Sequence, residues 1–172
     1  MSLEEIEKEL MEAELEEKKK GFKLSSIVLG YLAWLLFGTF MFIASNPALY
    51  QSMFDLPEII LDCAKLLPRQ GSYILDSFLN GDYTSMIMLL LPIVAGGIIA
   101  GLISGKVLDG ILAGFLVWVI GIIVSLVIIV IPLGSFDLDF IIDTLLGYIT
   151  DSLFIDTWGL IIFGAIGGAL KK

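Results

Sequence analysis

The 172-residue chain is 58% hydrophobic even before its 18 glycines are counted, and 10 basic against 19 acidic side chains leave a net charge of −9. Soluble domains run about 45–50% apolar with glycine included, so this balance excludes a water-soluble globule and a disordered chain, and the lack of a basic excess excludes a nucleic-acid binder. Zero histidines and one cysteine, Cys63, remove disulfide frameworks, Cys/His zinc sites, haem attachment and Ser-His or Cys-His nucleophile pairs.

Residues 1–23 form a charged arm with eight glutamates and five lysines. Ser2 and Glu5 make a capping box, and Glu4–Lys8, Glu14–Lys18 and Glu16–Lys20 are i,i+4 pairs in the favourable order. A solvated helix with a narrow stripe of Leu3, Ile6, Leu10 and Ala13 is expected there. Leu24–Ser45 is the first charge-free run long enough to cross a bilayer, which takes about 20 residues.

The loop 46–83 reads as two short amphipathic helices. Asp55 and Glu58 cap the first, whose apolar stripe is Ile59, Ile60, Cys63, Leu66 and Leu67. Pro68 and Gly71 end it, Ser72 opens Tyr73–Leu79, and Asn80-Gly81 stops the second. Helices of this kind are expected to lie flat over the mouth of a bundle.

Thr84–Ser104 and Ile111–Leu133 are further charge-free spans, with Pro92 a helix breaker inside the first of them. The loop 134–157 carries Asp137, Asp139, Asp143, Asp151 and Asp156 among aliphatic residues, a second acidic amphipathic helix. Counted from Asp137 as an EF-hand loop, positions five, six and twelve hold Ile141, Ile142 and Tyr148, so no metal site is expected. Trp158–Leu170 is a short fourth span whose outer end, at Asp156, is polar.

Basic residues cluster on one side of these spans, with only Lys65 and Arg69 in the loops 46–83 and 134–157. Lys18, Lys19, Lys20 and Lys23 precede the first, Lys106 sits between the second and third, and Lys171 and Lys172 end the chain. The positive-inside rule then makes both termini cytoplasmic and loops 46–83 and 134–157 external, as for a multipass protein of the cell membrane.

Small residues recur at four-residue spacing, which lets helix backbones approach closely. Gly97, Gly101 and Gly105 form one series, Gly110 and Gly114 a second, Gly121 and Ser125 a third, Gly164 and Gly168 a fourth, with Gly96 beside the first. These ten are the expected helix-packing residues, and the spans joined at Lys106 are expected to form a tight antiparallel hairpin. Gly30-Tyr31-Leu32-Ala33-Trp34 also matches Gly114-Phe115-Leu116-Val117-Trp118, so the chain parses as two tandem span–loop–span units of the same orientation.

The run from Val94 to Lys106, then Asp109-Gly110-Ile111-Leu112-Ala113-Gly114, resembles small archaeal multipass membrane proteins grouped as a domain of unknown function. The ending Phe163-Gly164-Ala165-Ile166-Gly167-Gly168-Ala169 is similar to them too. The resemblance covers about the C-terminal half and implies an integral membrane location in an archaeon, without an activity or functional residues.

The expected architecture is thus an all-α integral membrane protein, a four-helix transmembrane bundle with amphipathic external helices. No catalytic constellation is present. An intramembrane aspartyl protease needs aspartates within its spans, whereas Leu79-Asn80-Gly81-Asp82 lies in a loop. With no cofactor expected and the lipid bilayer as its first partner, the chain reads as a non-enzymatic structural or interaction subunit, as a homo-oligomer or with a membrane-complex partner. The alternative is a small oligomeric channel or permease subunit.

Overall fold

The computed structural model describes residues 23–45, 56–133, 138–152 and 155–171. The charged arm up to residue 22, Pro47, Asp55, Asp137 and Lys172 therefore lie outside the described residues. Within them the fold is entirely helical: α1 (Leu24–Ser45), α2 (Leu56–Leu66), a 3-10 turn (Leu67–Arg69), α3 (Gln70–Leu79), α4 (Tyr83–Ser104), α5 (Val107–Leu133), α6 (Leu138–Ser152) and α7 (Ile155–Leu170).

Three of these, α1, α4 and α5, are long and apolar enough to cross a membrane, and α6 with α7 make a fourth candidate if taken as one broken span whose halves differ in direction by 57°. Helix ends follow local chemistry. Asp82 caps α4 by accepting from the Ser85 backbone N–H at 3.1 Å. Gly105 stops it in the left-handed region, φ 76°, with its N–H on Gly101 O, a conformation that suits glycine because it has no Cβ. The structure starts α5 at Val107, four residues before the apolar run, because Asp109 is tolerated in a first turn where backbone N–H groups are free.

In the helical bundle α7 lies against both α4 and α5, and α1 lies against α4. The expected pairing of α4 with α5 is close only near their connecting turn, where Gly101 Cα faces Gly110. Farther along, α7 is the principal neighbour of each. Bulky apolar side chains such as Leu36, Phe40, Ile87, Ile123, Val127 and Ile162 face outward, while Gly96, Ala100, Ala113 and Gly164 are buried. Large aliphatics thus cover the outer surface, while the small residues share the interior with Trp34, Ile93, Val117 and Leu160.

The first loop differs most from its expected placement. Rather than lying flat across the bundle, α2 and α3 fold back as a hairpin whose tip is buried: Leu67 and Pro68 are inaccessible, and Gln70 and Gly71 are buried. The break also differs in detail, since Pro68 sits in the 3-10 turn and α3 begins at Gln70, ahead of Ser72. The physical reason is the partner for the apolar face of α2. Ile59, Cys63, Ala64 and Leu67 are covered by protein, with Cys63 and Leu67 against Gly38 of α1, and the missing Cβ of Gly38 leaves the room they fill.

Candidate functional site: a hairpin tip, a cavity and a buried carboxyl

With 1.5 Å of rise per residue, the 11 residues of α2 and 10 of α3 each extend roughly 15 Å, half the roughly 33 Å of the 22-residue α1. The tip accordingly meets α1 half-way along, at Trp34. That indole is fully buried over Gly121, where an added Cβ would lie 2.7 Å from the ring. Its Nε1–H donates to Gln70 Oε1 at 3.0 Å. A buried indole N–H needs an acceptor, and here the hairpin supplies it.

A second polar node holds α2 to α5 and α6. Ser125 Oγ donates to the Lys65 backbone oxygen at 3.1 Å and shares a short hydrogen bond with the Tyr148 hydroxyl. The Arg69 guanidinium stacks on the Tyr148 ring, 4.8 Å from its centroid. Ser125, expected to act as a small packing residue, thus works through its hydroxyl, and its partner Tyr148 lies in a loop the sequence reading treats as an external cap.

Asp156 sits in the first turn of α7, one residue from Thr157. Expected at a polar outer end, it is instead completely buried. Neither carboxyl oxygen has a hydrogen-bond partner, and the Thr157 hydroxyl also lacks one. The Gly71 backbone N–H at the hairpin tip faces the carboxyl without reaching hydrogen-bond geometry. Transferring a charged carboxylate into such surroundings costs several kcal/mol unless it is paired.

Beside the tip, between α1, the hairpin and the start of α4, lies a cavity of about 530 Å³, within the range of ligand pockets. Met41, Phe42, Leu67, Met88 and Leu89 form apolar walls, Gln70 and Cys63 also line it, and Asp76, Asn80 and Asp82 contribute polar groups. Among the described residues its charged lining is acidic, Asp76 and Asp82. Hydrogen bonds from the Ser85 side chain and backbone hold the exposed Asp82 carboxyl below the usual carboxylate range, so it is ionised at neutral pH.

The remaining expected packing residues separate into three groups. Gly97, Gly101, Gly110, Gly114, Gly164 and Gly168 lie at the junction of α4, α5 and α7, where Gly101 faces Gly164 and Gly168, Gly110 faces Gly164, Gly114 faces the Leu160 backbone and Gly97 faces Phe163. Gly96 and Gly121 accommodate Trp34 instead, and Gly105 serves as a helix cap. Gly30, Gly38, Gly159 and Gly167 also sit in close contacts without having been singled out. Gly30 and Gly38 have no glycine four residues away in α1, because the small residue facing Gly30 is Ala100 on another helix.

Among the described residues no group of three potential ligands is placed to hold a metal ion. No protein-family model, curated protein or solved structure matches the chain.

Proposed function

We propose that this protein crosses the cell membrane four times, through α1, α4, α5 and α7, with both termini cytoplasmic, and that it is a small permease or channel subunit. In this reading α2 and α3 form a re-entrant hairpin that dips from the outer face to half the depth of the bilayer. The carrying observation is the cavity along that hairpin, with Gln70 at its inner part. Non-helical backbone and polar side chains are tolerated at membrane depth where they are enclosed by protein or line a water-filled path, and discontinuous elements of this kind build solute sites in transporters.

The apolar outer surface of the bundle supports the membrane location, and the one-sided clustering of basic residues supports the orientation. A structural subunit working through small-residue faces has less in its favour, since the glycines that would form such faces meet one another within the chain.

The test is flux through the purified protein in liposomes, using a panel of small neutral and cationic solutes. Cys63 lines the cavity and is the sole thiol. Because Cys63 is buried, the reagent site is Ser77→Cys on the cavity wall in a Cys63→Ser background: a membrane-impermeant thiol reagent added outside should abolish its flux, and Cys63→Ser alone should be resistant. A chain that passes none of the solutes, yet is isolated in fixed stoichiometry with another membrane protein, would return the structural-subunit reading.

A further inference from the structure

Asp156 is the one described carboxyl that is completely buried, and it has no partner. Among the described residues, the elements packed on α7 are α4, α5, α3 and α6, and Asp156 makes no ion pair with them. On the hairpin, Arg69 is stacked on Tyr148, while Tyr73 and Asp76 line the cavity. Tyr148 itself is bonded to Ser125. Asp109 starts α5 at the opposite end of the bundle, Tyr83 at the head of α4 is exposed, and Asp139 and Asp143 are exposed on α6.

The groups that do face the carboxyl are donors. The Gly71 N–H is one, and the carboxyl itself belongs to the first turn of α7, whose N–H groups have no acceptor within the helix. Donors and the positive end of a helix repel a metal cation, and a single carboxylate makes a poor cage for one. A carboxyl buried completely and without an ion pair is instead neutralised by taking up a proton.

We infer that Asp156 is a proton-exchange site, holding a proton while the hairpin tip is seated and releasing it toward the outer cavity when the tip withdraws. Gly71 faces the carboxyl and its neighbour Gln70 lines the cavity, so the tip is the partition between the two. On release the carboxyl O–H bond breaks, the proton passes to cavity water and on to bulk buffer, and the electron pair stays on the carboxylate. With the tip withdrawn, cavity water and the first-turn N–H groups of α7 are left to hold the anion. The inference rests on the permease reading and adds to it that solute movement is linked to proton movement.

The experiment is infrared spectroscopy of the full chain in lipid across a pH series, with the carboxyl carbons of aspartate isotope-labelled. A protonated-aspartate band that disappears as pH rises, corresponding to one proton per chain and missing in Asp156→Asn, is the expected result. The isotope-labelled wild-type titration stands without the variant, so misfolding of Asp156→Asn leaves the test intact. Absence of any protonated aspartate at neutral pH in the wild type overturns the inference, as does a band unchanged in a folded Asp156→Asn. Liposome flux separates the two levels. Flux with no protonated aspartate keeps the permease and removes the proton site, whereas a titrating band without flux keeps the site and removes the permease.

Discussion

Replacing Gly101 by alanine probes the junction on which the bundle is built. In an isolated helix the change is favourable by about 1 kcal/mol, because glycine is the poorer helix former. Here the added Cβ would lie 2.7 Å from Gly168 N and 2.9 Å from Gly164 C, and closer still to the Gly164 carbonyl oxygen. These are backbone atoms of α7 and cannot rotate aside. To reach an ordinary contact of 3.4 Å the helices must separate by roughly 0.7 Å or more, and a gap of that size forfeits a quarter to a half of each dispersion contact along the seam. Overpacking of this kind costs about 1–3 kcal/mol and occasionally more, and contact with unyielding backbone places Gly101→Ala at the upper end, a net loss of about 2–3 kcal/mol. Reversible denaturation in mixed micelles, followed by tryptophan fluorescence, measures it. Gly147→Ala is the control, since its Cβ would meet only Arg69 Nη2 at 3.4 Å, and it should be neutral or stabilising. A Gly101→Ala protein as stable as wild type would refute the close approach of α4 to α7.

Other perturbations address the hairpin. Gln70→Leu strands the Trp34 N–H and should cost about 1–3 kcal/mol, with faster alkylation of Cys63 as the tip loosens; Trp34→Phe in the same background should recover part of that loss in a double-mutant cycle. Ser125→Ala and Tyr148→Phe share one node, so each should destabilise by about 1 kcal/mol and their effects should fall short of additivity. For Asp82, a folded-state carboxyl held below its unfolded value stabilises the protein above the ordinary aspartate range and loses that contribution as pH falls through the folded value. The acid limb of the stability curve, below about pH 4, should therefore flatten in Asp82→Ala when unfolding is measured across that range.

The long helices were legible because charge-free runs of spanning length need no tertiary information. Three of their four extents differ from the structure only by a few residues at one end: Tyr83 for Thr84, Val107 for Ile111, Ile155 for Trp158. What covers an amphipathic helix is a different question. The stripe of Ile59, Cys63 and Leu67 specifies an apolar partner without saying whether it is lipid or the groove at Gly38. The break at Pro68 and Gly71, flanked by helices of half the length of a span, was the available signal for a hairpin. Asp156 was harder to read, since its burial depends on Gly71, some 85 positions earlier in the sequence. Ser125 and Tyr148 were likewise joined by tertiary structure alone.

The central claim is that α2 and α3 enter the membrane from the outer side, and the depth of the native Cys63 tests it most directly. Cys63 adjoins Gly38, seven residues before the end of α1, which places it roughly 10 Å below the outer end of that helix. A nitroxide attached to Cys63 in lipid, read by power saturation with oxygen and with a water-soluble nickel chelate, should report that immersion together with access to the chelate from outside. A label at the headgroup level would contradict the account, and so would one reached by the chelate only from the cytoplasmic face.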